Sequence, residues 1–399
     1  METAPTDVAV VGAGAAGLTA ALALVSAGAS VTLVGRPGSD NRTTALLATS
    51  VTALETLGVW KSCGQNAAPL EFMRIVDDTG RLWRAPEVKF SAREIEFDAF
   101  GWNIENRFLV EALSRKISIT ANIVHIVQSA RGVEFDDDFA VILLESGDVV
   151  RTRLAVGAEG HRSICRDAAG IATEGWSYPQ TAVTMNFAHT RPHENTSTEF
   201  HTATGPFTVV PLPGNRSSLV WAVKPADADR LAALGDADLN TEIERRSHSI
   251  LGKIAVEPGR GKFPLRMETA KSFGAHRVVL VGEAAHILPP IGAQGFNLGL
   301  RDVATIAELV AEAKHEGRDV GSATLTTAYH SNRQADTKSR TIATDLLNRS
   351  LLSDFLPVQG ARGLGLYMMK RIGPLRRAMM REGVAPSRSL PKLMRGEAP

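Results

Sequence analysis

The chain opens in apolar blocks with no polar alternation. Val8-Ala9-Val10-Val11 is a continuous apolar run, a glycine-rich turn follows, Leu18 to Ala27 is rich in Ala and Leu, and Ser30 to Val34 is largely β-branched. Strands covered on both faces lose the alternation of half-exposed strands, and Ala and Leu favour helix, so the pattern predicts a strand, a helix and a second, parallel strand. Met73 to Asp77 and Arg81 to Phe90 flank the turn signal Asp78-Thr79-Gly80, and Val141 to Leu144 and Val149 to Val156 flank Glu145-Ser146-Gly147-Asp148. Both arrangements predict hairpins, with a helix starting near Asn106 between them. Between about Thr181 and Pro264 the pattern shifts to short β-rich segments, Thr181 to Phe187, Phe207 to Leu212 and Ser217 to Val223, broken by Pro and Gly. That is the signature of an inserted antiparallel sheet. An apolar strand returns at Arg277 to Val281, enters another glycine turn, and gives way to a helical pattern from about Asn297 to Ala313 and again from Thr324 onward.

The expected fold is therefore α/β: a Rossmann-like domain built from residues 1–70, 98–178 and 270–345, an inserted β-sheet domain from 71–97 and 179–269, and a helical basic tail over 346–399. With 399 residues, 44% hydrophobic and 22% charged, the composition is that of an ordinary globular protein. Lys plus Arg number 44 against 43 for Asp plus Glu, which removes the electrostatic case for a nucleic-acid partner. Two cysteines, Cys63 and Cys165, build neither a disulfide framework nor a zinc site, so no metal is expected and the cytoplasm is the default compartment. The uncharged run from Val8 to Gly35 is broken by glycines and preceded by Glu2 and Asp7 instead of a basic segment, and is expected to be neither signal peptide nor membrane span.

The chemistry gathers at three glycine turns. Gly12-Ala13-Gly14 and Gly17 stand as G-x-G-x-x-G between the first strand and helix, the spacing that brings a dinucleotide's pyrophosphate onto a helix N-terminus. The acidic residue that usually closes the second strand is replaced by Gly35, and Arg36 follows it. Arg36 could meet the 2′-phosphate of NADP or lie against an adenine. The second turn, Gly157-Ala158-Glu159-Gly160, also follows a strand. The third, Gly282-Glu283-Ala284-Ala285-His286, runs through Pro289-Pro290-Ile291-Gly292-Ala293-Gln294-Gly295-Phe296-Asn297 into Leu300-Arg301-Asp302 and a helix.

Over nearly its whole length the chain resembles the single-component flavoprotein aromatic hydroxylases, and its Pro-x-Gly-x-Gln-Gly-Phe-Asn-Leu-Gly-Leu-Arg-Asp stretch is most similar to the UbiH/UbiF/VisC branch, the ubiquinone-biosynthesis hydroxylases. The resemblance implies tightly bound FAD, with NAD(P)H as a transient reductant and O2 as co-substrate. Carried over by position, Gly12, Ala13, Gly14 and Gly17 would meet the pyrophosphate. Gly157 and Glu159 would serve FAD and NAD(P)H, Gly282 and Glu283 the ribitol, and Pro290, Gly292, Gln294, Gly295 and Asn297 would lie beside the isoalloxazine. Arg42, in Asp-x-Arg-x-x-Ala-Leu form, and Arg107, in Glu-Asn-Arg-x-Leu form, match positions near the flavin phosphates; a structural ion pair is the alternative for each. Glu159 and Glu283 stand where Asp is usual, and Gly292-Ala293 reverses the commoner Ala-Gly. A Glu reaches one methylene farther, so either the backbone retreats or the contact changes partner.

Because the flavin carries the oxygen chemistry, no catalytic side chain is expected, only a dry ring-side wall formed by Pro289, Pro290 and Ile291. His286, His189, His193 and His201 are expected to be structural. The implied substrate is an aromatic, quinone-like ring, most readily a polyprenylated ubiquinone precursor. Two alternatives stay open, a soluble hydroxylase of a small phenol or polycyclic product, and a non-catalytic scaffold among quinone-biosynthesis proteins. From Leu346 to Leu366 apolar residues recur near helical spacing, followed by Lys370, Arg371, Arg376, Arg377, Arg381, Arg388, Lys392 and Arg395 with only Glu382 and Glu397 opposed. Such a tail can lie on an anionic inner-membrane surface or pack on the flavin domain with a solvated basic end.

Overall fold

The computed structural model describes residues 5–38, 40–80, 84–353, 355–385 and 390–399, without the side chain of Leu356. Residues 81–83 of the first expected hairpin and Arg388 of the basic tail lie outside the described residues.

The opening pattern folds as read, into the strand Thr6–Val11, the helix Ala15–Ser26 and the parallel strand Val31–Val34. Among the described residues these strands belong to an eight-stranded sheet whose main path runs Gly274–Ala275, Val278–Leu280, Val149–Gly157, Thr6–Val11, Val31–Val34, Ile123–Ile126. Val149–Gly157 pairs in parallel with both Thr6–Val11 and Val278–Leu280. Segments about 140 residues apart in sequence thus end side by side, and Val8, Val10, Leu154, Val156, Val278 and Leu280 are fully buried. The hairpin from Ala140–Leu144 into Val149–Gly157 forms, and it gains a third strand, Ala130–Phe135, that the pattern did not reveal.

The inserted sheet has nine strands among the described residues, ordered His286–Ile287, Gly261–Ala270, Thr173–His189, Arg216–Val223, Gly205–Leu212, Thr196–Thr202, Phe72–Asp77, Val88–Ser91, with Ile254–Val256 beside Thr173–His189. All its ladders are antiparallel except one: Thr196–Thr202 runs parallel to Phe72–Asp77. That hairpin enters from the other half of the molecule through the short strand Ala67–Pro69, and its direction follows from where it enters, not from a local turn. The expected division at residues 178 and 179 falls within Thr173–His189, where the ladder to Gly261–Ala270 breaks register between Ser177 and Thr181.

The tail packs on the protein, but its two longer helices lie mainly against the hairpin that enters the inserted sheet and not on the flavin domain as the second reading had it. In helices Leu356–Arg371 and Gly373–Val384, the buried Leu366, Met380 and Val384 pack on Val88, Phe90, Ile95 and Phe100, and Arg376 is paired with Glu94. The extreme end is packed, with Leu393 and Met394 in the main core. Yet Phe355, Leu364 and Met379 remain 65%, 58% and 52% exposed.

One buried carboxylate joins these parts. Asp302, fully buried in the helix Gln294–His315, accepts from the Gly282 N–H at 3.0 Å, from His286 Nε2 at 2.6 Å and from Arg333 Nε at 2.7 Å. Arg333 belongs to the long helix Ala323–Leu352 and also reaches Asp336 at 2.8 Å, which is bonded in turn by Arg301 and Arg340. Burial works against ionisation of Asp302, but His286 and Arg333 outweigh it and hold its carboxyl below the usual range. Tyr329 on the same helix donates to the Leu280 carbonyl at 2.7 Å, at the foot of the third glycine turn.

Three outcomes follow for stability. A Cβ at Gly17 would stand 1.8 Å from the Gly12 carbonyl oxygen, so Gly17→Ala should cost about 3 kcal/mol or more in urea unfolding. Asp302→Ala removes one of the two carboxylates paired with the buried Arg333 and strands its Nε, and should cost about 3 kcal/mol. Asp336 is held down to about 2 from 3.8, against its burial, by Arg333, Arg301 and Arg340. A depressed carboxyl stabilises the fold above its ordinary value and stops doing so as pH falls through the folded one. Unfolding free energy should therefore drop from about pH 4 toward 2, by about 2 kcal/mol from this group, and Asp336→Asn should flatten that step.

Candidate functional site

The glycine turns meet at the carboxyl ends of adjacent parallel strands, the crevice where open α/β sheets bind ligands. Backbone bonds lock them in sequence: Gly12 N–H to the Val34 carbonyl at 2.7 Å, Ala158 N–H to Val11 at 2.8 Å, and Val281 N–H to Gly157 at 2.9 Å. Arg166, 8% exposed, bridges the second and third turns by donating to the carbonyls of His161 at 2.9 Å and Ala284 at 3.1 Å.

The first turn fits a pyrophosphate. Gly14 is the N-cap of Ala15–Ser26, and a Cβ placed there would meet nothing within 4 Å. The first-turn N–H groups, which have no intrahelical partner, therefore face open space beside a positive helix end. Gly35 has a positive φ of 151°, and a Cβ on it would stand 2.7 Å from the Ala13 nitrogen. A side chain at this position, acidic or otherwise, would press into the first turn, which accounts for the missing carboxylate. Arg36 turns to the surface instead, bonded to Glu145 at 2.8 Å and Ser129 at 2.9 Å.

Both flanking arginines are ion-paired and still accessible. Arg42 forks onto Asp40, is 47% exposed, and lies 5.4 Å over the Phe263 ring. Its guanidinium is held charged first by Asp40, with Glu283 adding to the effect. Arg107 is 2.9 Å from Glu105, 57% exposed, and stacks over Phe108.

The extra methylene has different consequences at the two glutamates. Glu159 curls back onto its own chain, where Oε1 accepts from Ser163 Oγ at 2.9 Å and from the Cys165 N–H at 2.8 Å, while buried Oε2 has no partner. Burial pushes its pKa up. The contact has changed partner, and Glu159 caps the helix Ile164–Ala168 instead of presenting its carboxylate to the crevice. Glu283, in the turn Gly282–Ala284, is exposed to it.

Beyond this turn, Pro289 and Ile291 are buried, Pro290 is exposed, and the Ile291 N–H returns to the Pro289 carbonyl at 2.7 Å. Gly292 and Ala293 both have positive φ, 64° and 55°. Either order of Gly and Ala would place an alanine at positive φ here; in this chain it is Ala293, at a cost of about 1–2 kcal/mol. Gln294 is taken by Arg340 at 2.8 Å and by the Gly292 carbonyl, and Gly295 follows in the first helical turn. Asn297 is a staple: its amide donates to the Ala45 and Ala293 carbonyls and accepts from the Leu47 N–H at 2.8 Å. Its side chain is therefore spent within the protein.

Opposite this wall lies one face of the inserted sheet. Leu288 and Val220 both pack against a cluster that includes Ala182 and Ala222, and the register aligns Thr184, Val220, Thr208 and Glu199 across successive strands as a half-buried floor. Pattern reading missed Arg166, Asp302, Arg333 and this floor. Arg333, Asp336 and Arg340, spaced i, i+3 and i+7 on one helix, were the available signal for the ion network.

Comparison with known proteins accords with this geometry. The family profile described as FAD binding domain matches residues 5–342. Ubiquinone hydroxylase UbiL of Rhodospirillum rubrum is 34% identical over 402 residues, covering 98% of this chain and 92% of the relative. The 3-demethoxyubiquinol 3-hydroxylase of Escherichia coli is 30% identical, covering 96% and 99%. In fold the chain is similar to p-nitrophenol 4-monooxygenase of Pseudomonas putida, with a TM-score of 0.79 at 19% identity over 98% of this chain and all of the other. With three glycine turns converging on one crevice and full-length relatives of this kind, the chain belongs to the family of FAD-dependent hydroxylases of ubiquinone biosynthesis and is a flavin monooxygenase.

Proposed function

We propose that the chain hydroxylates the ring of a polyprenylated ubiquinone precursor with O2 and NAD(P)H. The observation that carries this reading is the apposition of the Leu288 to Ile291 wall with an apolar and hydroxyl-lined sheet face, at the open end of the three turns. FAD, when bound, supplies the activation of dioxygen. The protein's part is placement and exclusion of water. Gly12, Ala13, Gly14 and Gly17 would hold the pyrophosphate, Arg42 and Arg107 the phosphate charge, and Glu283 the ribityl hydroxyls. Pro289, Pro290 and Ile291, with Gly292 to Gly295, would line the ring, since prolines present no N–H to draw water to it.

A second part of the proposal concerns where the substrate is met. Among the described residues no helix is long and apolar enough to cross a membrane. Exposed Phe355, Leu364, Tyr367, Met368, Ile372 and Met379 nevertheless lie beside the exposed Lys370, Arg371 and Arg377. This combination suits shallow insertion into an anionic leaflet, at the cytoplasmic face of the inner membrane, where a polyprenyl substrate partitions.

Gly14→Ala separates binding from folding, because the added methyl has room in the protein but occupies the phosphate's space. The purified variant should keep its thermal midpoint within a few degrees in the flavin-free state and lose at least about tenfold in FAD affinity. Deleting the gene and profiling lipid-soluble intermediates by mass spectrometry tests the substrate: a prenylated precursor lacking one ring hydroxyl should accumulate, and an unchanged quinone profile would sink the assignment. Flotation with anionic vesicles should fall at least about tenfold in a Lys370→Glu, Arg371→Glu, Arg377→Glu triple variant, from charge alone, and flotation unaffected by charge reversal or salt would remove the membrane part.

A further inference from the structure

The sheet face that floors the proposed substrate cleft ends in an unusual group of buried polar atoms. His201 lies two residues beyond Glu199 on the strand Thr196–Thr202, hence on the same face, and stands across the parallel ladder from Asp77. Its side chain is 3% exposed, and Nε2 lies 2.8 Å from Glu199 Oε1. Its Nδ1 is buried with no partner. From the tail helix Leu356–Arg371, Arg362 reaches over this face to Asp77, with Nη2 at 3.2 Å from Oδ2 and a side chain 8% exposed. Its Nε and Nη1 are also buried without partners.

Unpaired buried donors on a guanidinium are costly, and each such atom calls for a partner. The chemistry of this group specifies one. Glu199 only accepts, so a neutral His201 places its proton on Nε2 and leaves Nδ1 as an acceptor. Arg362 can only donate. An acceptor and a donor fork, brought to neighbouring positions through Asp77, complement a hydroxyl, which gives its proton to Nδ1 and takes hydrogen bonds from Arg362. Thr208, whose hydroxyl points to Glu199 at 3.4 Å, continues the polar end toward Val220. Glu199 is two strand spacings, about 10 Å, from Val220, which packs against the same apolar cluster as Leu288 of the ring-side segment.

We infer that His201 and Arg362 form the hydroxyl-binding end of the substrate pocket, a positioning pair that holds a phenolic oxygen already on the ring and so orients which carbon faces the flavin. This inference rests on the aromatic-hydroxylase reading and adds the substrate group recognised. It also gives the tail a role in the site itself, since the pair is complete only when the helix Leu356–Arg371 is seated.

The test compares 4-hexylphenol with 4-hexylanisole, its methyl ether, on the FAD-loaded full-length protein. Binding is followed by perturbation of the flavin absorbance, and turnover by NAD(P)H oxidation split into KM and kcat. The wild type should bind the phenol at least about tenfold more tightly than the ether, roughly the worth of one hydrogen bond to a charged group. His201→Phe and Arg362→Met should each abolish that preference chiefly through KM, weakening the phenol while moving the ether by less than about threefold. Should Arg362→Met fail to retain FAD, Arg362→Lys keeps the charge opposite Asp77 but loses the planar fork, and should show a partial loss of preference. Equal weakening of phenol and ether, an unchanged preference, or a wild type indifferent to both compounds while still oxidising NAD(P)H would each overturn the inference. A flavin-loaded wild type that does not oxidise NAD(P)H at all would instead count against the hydroxylase reading beneath it.

Discussion

The geometry of the site depends on a charge with no access to water. Asp302 is fully buried, and each of its bonds goes to a different part of the molecule: the Gly282 N–H in the third glycine turn, His286 where the chain joins the inserted sheet, and Arg333 on the long helix that leads to the tail. An uncompensated carboxylate in such a place would cost several kcal/mol, so these partners cannot drift apart independently. The result is a fixed relation between the turn carrying Glu283, the ring-side wall that follows it and the sheet facing that wall.

Around this junction the site is made largely of backbone. Parallel strands bring three glycine turns to one edge, and the helix N-terminus behind Gly14 offers unpaired N–H groups to an anion without needing a cationic side chain. Departures from the family pattern are absorbed the same way. Gly35 avoids a collision with Ala13, Glu159 uses its extra length to cap a short helix, and Ala293 accepts a strained left-handed turn at the start of the helix that carries Asp302. None of these changes closes the space in front of Gly14 or covers Glu283.

The tail is more than an appendage. Its inner surface completes a small core with Phe90, Ile95 and Phe100 and sends Arg362 to Asp77, while its outer surface leaves Leu364, Tyr367 and Met368 bare beside basic residues. One pair of helices thereby covers the Asp77 end of the inserted sheet and presents an apolar, cationic face outward. Such an arrangement would suit the proposed substrate, with a polar ring and a lipid chain.

The βαβ opening, the hairpin at residues 140–157, the inserted β-rich segment and the cofactor class were all legible in the sequence. Each rests on local periodicity or on glycine spacing beside a strand, and both survive whatever the rest of the chain does. What could not be read there depended on which distant groups come within hydrogen-bond reach. Arg42 and Arg107 looked the same as sequence whether they paired with neighbouring carboxylates or faced a ligand, and the structure shows them paired yet accessible. His201 read as an ordinary sheet histidine until register placed it on the cleft face and the tail laid Arg362 beside Asp77, 285 residues away. Periodicity decides which residues are buried, but only tertiary packing decides what a buried polar atom meets, because the partner's place along the chain carries no local signal.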